Sequence, residues 1–536
     1  MAGTNNKKLI PAGVFGNGMV LQRGKECRIF GKSEGLEVTV TVEKDGCKEC
    51  HKAPVENGAF VCALGIHDAG TGYKVTLSDG TDIVIFDDVC FGDVYYLCGQ
   101  SNMELPVSRT LDVTGEEVMQ CDYPYVRQYL LTPDYRLDPA KEAEAPVSPW
   151  IRAQGNDLMD FSAVGFFAAR RLYDKTGIPV GLIHAAQGGA SIEAWMPLDL
   201  LDGFGDYRKQ TEPFMADGSV QDFLKNQDIS QAEWVDSLND DIGKGFEHSI
   251  PDDADDILVP FIRNTSGDDM FFGSVWLYRE FEMSADNIKG DDAFLYLGEM
   301  VDSDITYVNG KEVGTTDYCY PPRKYGFPTD ILKPGKNLIA VRLIVEHGCS
   351  AFLPDHEYSI TAGGRKIDLT GQWKYKIGTR TKTEKDRFFM AQWIPSALFQ
   401  SSVLPVRHLA IKGFWWYQGE SNASDPSRYD EKFKAMVLKF RDVFGDDELP
   451  IICTVMADFD DPANGKIGDI ATGFSDNGLT ISDGWKCIQE LQLHAPESVP
   501  LCSVVSAKDL SEPFELHPQN KSILGARFAE MAMLWN

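Results

Sequence analysis

Ser101 is where reactive chemistry can be assembled in this chain. It follows the run Val94-Tyr95-Tyr96-Leu97-Cys98, which reads as a buried strand, and Gly99, which lets the backbone turn sharply. A serine just past a strand end, where a helix or tight loop begins, holds its hydroxyl in front of backbone N–H groups. A serine nucleophile needs that setting. Taken alone, the stretch is equally a plain Gly-Gln-Ser-Asn turn, so the decision rests on what the rest of the chain brings to it.

A base comes first. The histidines are 51, 67, 184, 248, 347, 356, 408, 494 and 517. His184 ends a strand near Ser101 and reads as a satisfied core histidine. His517 lies in a loop after the last expected strand, and Pro518 opens the final helix. It projects at the carboxyl edge of a parallel sheet, where ligand sites of such sheets form, and is the best base. A carboxylate should hold the other ring nitrogen. The stretch ending at His517 offers Asp509, Glu512 and Glu515, and the order Ser, acid, His is that of strand-turn-helix hydrolases.

An oxyanion hole needs N–H donors aimed at the developing charge. Ser101 supplies its own N–H. Gly188 or Gly189 follows a parallel strand and has no side chain to block close approach. A third strand end turns at glycine in Trp415-Trp416-Tyr417-Gln418-Gly419-Glu420-Ser421-Asn422, where Gln418 and Asn422 are amide donors. Cofactor signatures are absent from the sequence: no Gly-x-Gly-x-x-Gly after a strand, no phosphate-cradling Lys loop, no His-Glu-x-x-His. Cys47-x-x-Cys50-His51, with Cys62 downstream, fits a hairpin better than a zinc site. No cofactor and no metal are expected.

The elements that position these residues fall into four stretches. Residues 1–92 read as an N-terminal β-sandwich: Val38, Val40 and Val42 alternate with polar residues, and Asp45-Gly46, Asn57-Gly58 and Asp79-Gly80 mark hairpin turns. Residues 93–205 switch to strand, helix, strand, with Ser162 as N-cap, Gly177 and Pro179 as stops, and Val180–Ala185 as a buried strand. That rhythm implies a parallel sheet. Residues 206–398 open with an acidic, partly helical stretch (Gln221 to Asp256). They continue as strands such as Val275–Phe281 and Asn337–Val345, a second β-sandwich inserted into the α/β part. From 399 to 536 the α/β rhythm returns, with strands Gly413–Tyr417 and Pro450–Met456 around a helix whose stripe runs from Tyr429 to Phe444.

The chain has 536 residues, of which 43% are hydrophobic, so large cores can form and wholesale disorder is excluded. Its formal net charge of −30 repels phosphate backbones and anionic headgroups, arguing against nucleic acid and membrane-surface partners. No run reaches the roughly 18 apolar residues of a membrane span. The first residues lack the apolar core of a signal peptide, and the 12 cysteines read as reduced thiols, so the cytoplasm is the expected compartment.

Gly99-Gln100-Ser101-Asn102-Met103, Gly188-Gly189 with Glu193-Ala194-Trp195, Gln418-Gly419-Glu420-Ser421-Asn422 and His517-Pro518 together resemble the blocks of the sialate O-acetylesterase family, within the SGNH-hydrolase superfamily. Gly18-Met19-Val20-Leu21-Gln22 resembles the start of its longer members. The resemblance implies a three-layer α/β/α domain with a parallel sheet, an inserted jelly-roll module similar to the sugar-binding domains of glycosidases, and no metal. It also implies release of acetate from O-acetylated sugars. The substrate would be 9-O-acetylated sialic acid or acetylated plant hemicellulose oligosaccharides such as xyloglucan or xylan. Superfamily members place the acid three residues before the histidine, where this chain has Phe514. The acid is therefore Asp509, which looks like part of the family's loop, or Glu515, unless a backbone carbonyl serves a Ser-His dyad. Gln418 stands where the superfamily has its oxyanion Asn, with Asn422 the alternative. The alternative function is a carbohydrate-binding protein whose esterase site has decayed, leaving its β-sandwiches to act.

Overall fold

One strand, β1 (Ile83–Gly99), organises the chain. The computed structural model describes residues 9–135, 137, 144–265, 270–288, 290, 292–354, 356–386, 388–460, 481–512 and 514–535. The N-terminal residues read for a leader lie outside them. The other strands of the central sheet are β2 (Asp122–Leu130), β3 (Trp150–Gln154), β4 (Val180–His184), β5 (Gly413–Tyr417), β6 (Ile451–Val455) and β7 (Cys502–Ser506). Their spatial order is β3-β2-β4-β1-β5-β6-β7. Every pairing is parallel except that of β3 with β2. The order of connection reverses at β1, so the loops after β1, β4 and β5 meet at one carboxyl edge, where α/β sheets hold their ligands.

Burial explains the strand sequences. All residues of β4, β5 and β6 are buried, as are Val89–Gly99 of β1, and strands covered on both faces read as continuous apolar runs. Helix α1 (Ser101–Glu104) follows β1 directly. In α2 (Ala163–Thr176) the Ser162 hydroxyl accepts from the Gly165 N–H at 3.1 Å, and Gly177 ends the helix in the left-handed region. The expected stripe of α3 (Tyr429–Phe444) is buried from Tyr429 through Phe433, Met436, Val437 and Phe440 to Phe444. Helix α4 (Asp483–Leu493) is capped by Ser482, and α5 (Lys521–Met533) packs on α2.

The N-terminal strands do not stand apart. Gly70–Ser78 pairs antiparallel with β1, and Val20–Gln22 pairs parallel with its middle. The boundary expected at residue 92 thus falls inside a strand, and apolar residues from Leu9 to Cys98 and from Leu398 to Ala532 form one continuous core.

The insert is separate in its packing. Antiparallel strands from Asp255–Val259 to Gly371–Thr381 form sheets of six, four and three strands around a second core containing Leu277, Leu295, Val341, Phe352 and Trp373. The acidic stretch is a helix at Ser219–Asp236 and becomes a strand at Asp255–Val259. Among the described residues no helix is long and apolar enough to cross a membrane.

Candidate active site

The turn after β1 needs glycine. Gly99 has φ +119°, and a Cβ there would lie 2.1 Å from the Tyr417 carbonyl oxygen of β5. That approach lets Gln100 N–H donate to Tyr417 O at 2.8 Å, and the Gln100 side-chain oxygen accepts from Ser421 N–H at 3.1 Å. Two of the sequence blocks are thereby joined, and Ser101 begins α1 at the sheet edge.

Ser101 Oγ lies 2.8 Å from His517 Nε2, across 416 positions of sequence. With the ring neutral and its proton on Nδ1, Nε2 accepts from the hydroxyl. Burial pushes the His517 pKa down to about 3, helped by the positive charges of Lys521 and Arg109, so the ring is held neutral. The Tyr320 ring, from the insert, packs edge-on against His517 with centroids 5.3 Å apart.

The two carboxylates expected to serve as the acid separate clearly in space. Asp509 is not brought to His517: its exposed carboxylate is bonded to Arg527, with one N–H···O distance of 2.7 Å. The expectation that favoured Asp509 is corrected on that ground, because α5 presents a guanidinium that claims it. Glu515 is buried, and its Oε1 is 3.9 Å from His517 Nδ1 while accepting from the His517 backbone N–H at 2.6 Å. Nδ1 has no hydrogen-bond partner among the described residues. A distance of 3.9 Å is too long for a hydrogen bond, although catalytic contacts in unliganded sites commonly tighten once substrate is bound.

Gln418 and Asn422 are also placed differently from expectation. The Gln418 amide donates to Asn422 Oδ1 at 2.7 Å and to Ala190 O at 3.2 Å, while its oxygen accepts from the Tyr429 hydroxyl. Asn422 donates to Glu193 at 3.0 Å and accepts from Ile192 N–H. Burial pushes the Glu193 pKa up, but Lys432 and Asn422 outweigh it and hold the carboxyl below its usual range. Both amides are committed to holding the Gly189 loop rather than pointing at Ser101. That loop sits beside the serine: a Cβ on Gly188 would lie 3.7 Å from Ser101 Cβ. Gly189 itself has φ +71° and packs under Met390 and Trp393, leaving no room for a side chain. Among the described residues the N–H groups of Ser101 and Gly189 donate to no protein atom.

Four residues to which the sequence assigned no role surround the pair: Asn102, Glu104, Lys521 and Tyr320. Asn102 donates to Glu420 Oε1 at 2.7 Å and to Leu516 O at 3.0 Å, and accepts from Lys521 Nζ at 2.6 Å. It ties the serine turn to the β5 loop and to the residue before His517. Burial pushes Lys521 down to about 8, against the pull of Glu420, Glu515 and Glu512. Burial raises Glu104, three residues after Ser101, to about 7. Asn102 and Glu104 were visible beside Ser101, and Lys521 four residues beyond His517; polar residues held so close to a reactive pair were the available signal. Tyr320 carried none.

Fold and site define a class: α/β proteins that set a serine hydroxyl against a buried, neutral imidazole at the carboxyl edge of a parallel sheet. Within it, this chain belongs to the family of carbohydrate esterases described as sialic acid-specific acetylesterases, whose profile matches residues 91–221 and 389–534, just over half of the chain. The two matched segments flank most of the insert. Similar curated proteins are the sialate O-acetylesterases of Pongo abelii and Homo sapiens. The first is 27% identical over 218 residues, covering 38% of this chain and 42% of that protein. The second is 28% identical over 199 residues, covering 34% and 38%. The chain thus spans about two fifths of the length of the curated relatives it matches. A carbohydrate acetylesterase from Xanthomonas citri has a similar fold, with a TM-score of 0.54 and 19% identity over 98% of this chain and 74% of that one.

Proposed function

We propose that this protein is a carbohydrate O-acetylesterase that uses Ser101 as nucleophile and His517 as base. The observation that carries the proposal is the 2.8 Å contact between Ser101 Oγ and His517 Nε2 in a buried setting that keeps the imidazole neutral. His517 takes the hydroxyl proton as Oγ attacks the acetyl carbonyl, forming a tetrahedral oxyanion. The free N–H groups of Ser101 and Gly189 receive that charge. The imidazolium, faced by Glu515, then protonates the departing sugar oxygen. Water repeats the sequence and acetate leaves.

We assign residues 93–205 and 399–536 to a three-layer α/β/α SGNH-type domain, 206–398 to an inserted jelly-roll module, and 1–92 to N-terminal strands built onto the same core through β1. The separate core of the insert supports that division. Two sugar classes are distinguished by charge. The net charge of −30 favours neutral acetylated oligosaccharides such as those of xyloglucan or xylan. Arg109, close enough to depress the His517 pKa and bonded to the exposed Tyr318 hydroxyl, favours an acidic sugar such as 9-O-acetylated sialic acid.

Acetate release from a panel of acetylated sialosides, xylan, mannan and xyloglucan fragments tests the reading. Ser101→Ala is expected to fold and to release no acetate. Full activity in that variant would overturn the assignment and leave a carbohydrate-binding protein as the alternative.

A further inference from the structure

Glu299 belongs to the insert, in the short link between the strands Asp292–Leu297 and Met300–Val301. It is only 1% exposed, and its backbone is held where Leu353 N–H donates to its carbonyl at 2.9 Å. Its carboxyl group meets that of Glu515, which is 2% exposed, in a side-chain hydrogen bond between the two modules. Its Oε1 is buried and receives no N–H or hydroxyl hydrogen bond among the described residues.

We propose that Glu299 is a positioning residue: as a neutral carboxylic acid it donates a hydrogen bond to Glu515 and holds it as the carboxylate that faces His517. The inference rests on the esterase reading above.

Two buried carboxyl groups in contact cannot both ionise without a cation committed to them. Among the described residues none of the nearby cations donates a hydrogen bond to either carboxyl group. Arg323 gives its Nε to Asp304 at 2.8 Å and three further N–H groups to the carbonyls of Asp302, Cys319 and Pro321. Arg109 donates to the Tyr318 hydroxyl, and Lys521 to Asn102. Of the pair, Glu515 is the member that already accepts a backbone N–H, which favours its charge. Glu299, with an orphaned oxygen and no N–H donor to its side chain among the described residues, is the member that keeps the proton.

The surroundings act in the same direction. Burial first and the Glu515 carboxyl second push Glu299 up to about 11, opposed by Arg323 and Arg109. Glu515 is raised as well, by burial first and also by Glu512, and the Glu299 hydrogen bond, the His517 N–H and Arg109 act against that rise. Lys521 faces Glu515 from α5, and the Tyr358 hydroxyl and Cys319 thiol face Glu299 from within the insert. Two parts of the chain more than 200 residues apart thereby form one relay: Glu299, Glu515, His517, Ser101.

The test is the pH profile of p-nitrophenyl acetate hydrolysis by the full chain, counting only the rate that Ser101→Ala abolishes. If wild type and Ser101→Ala hydrolyse alike, the esterase reading fails and Glu299 is not judged by it. Glu299→Gln keeps a neutral donor, so its kcat and its acidic limb are expected to match wild type. Glu299→Leu removes the donor, so Glu515 stays protonated to higher pH and no longer supports the imidazolium. Its acidic limb is expected to move up by about one pH unit or more, with kcat down about tenfold at pH 7, partly recovered at pH 9, and KM unchanged. A Glu299→Leu enzyme with the wild-type profile overturns the proposal. If Glu299→Leu does not fold, Glu299→Gln decides: a folded Glu299→Gln protein that loses activity equally overturns it.

Discussion

Asn102→Ala is the substitution that bears most directly on how the site is held. The side chain is 2% exposed and serves three partners from three segments: Glu420, the Leu516 carbonyl and Lys521. Truncation leaves an acceptor on Glu420, an acceptor on Leu516 and a donor on Lys521 buried without it, and Glu420 Oε2 already lacks a partner among the described residues. Each such group costs about 1–3 kcal/mol when left unsatisfied. The three are coupled, and a water occupying the vacated polar space restores part of the bonding, so the expected loss is about 3–4 kcal/mol rather than the full sum. Catalysis should suffer separately. Leu516 immediately precedes His517, and a displacement of about 1 Å between nucleophile and base costs on the order of 10²-fold. Denaturant titration should show a lower midpoint at constant slope, and acetate release should show a lower kcat in the folded protein. A variant within about 0.5 kcal/mol of wild type and with unchanged kcat would refute the reasoning, because that is the range of an uninvolved surface change.

The two acids can be told apart by substitution. Asp509→Asn breaks only an exposed pair with Arg527 and is expected to leave acetate release within about twofold of wild type. Glu515→Gln should lower kcat on the order of 10²–10⁴-fold, and the opposite ranking in an acetate assay would restore Asp509. Because the active form of His517 is neutral and its pKa is pushed down to about 3, the acidic limb of kcat/KM should lie well below pH 6.5; a limb at or above that value refutes the desolvated setting. His184, fully buried and pushed down to about 4, contributes stability that is complete above about pH 6.5 and lost as pH falls towards 4, since the unfolded chain binds its proton first. Relative to His184→Asn, wild type should therefore lose up to about 1.4 kcal/mol per pH unit below 6.5, read from denaturation midpoints.

The parts of the fold that were legible in sequence were those written locally. Ser162 as cap and Gly177 as stop define α2, and the apolar stripe of α3 ends at Gly445 as expected, because caps and periodicity act within a few residues. The fully buried runs of β4 and β5 marked a parallel sheet for the same reason. The strand Asp255–Val259 starts at the end of the acidic stretch and is mostly exposed; what makes it a strand is its pairing with Gly371–Thr381, more than 100 residues away. Ser101 and His517 could be paired from sequence because one sits at a glycine-turned strand end and the other in the loop before the final helix. The acid could not. What separates Asp509 from Glu515 is Arg527 on one side and Glu299 on the other, and neither contact leaves a trace in local spacing. Gln418 and Asn422 had the right chemistry and the right loop, but Tyr429, Ala190 and Glu193 occupy their polar atoms.

The length of β1 has a practical consequence for anyone dividing the gene. Its 17 residues make a single beam of about 55 Å, clamped at one end by Gly70–Ser78 and at the other by β4 and β5. A truncation that begins at residue 93 to isolate the α/β part would saw through that beam. It would strip the N-terminal partners from a strand whose far end carries the Ser101 turn, and leave apolar surface and unpaired backbone groups inviting aggregation. Trimmed versions of this protein should keep the N-terminal strands, and also the insert that brings Tyr320 against His517.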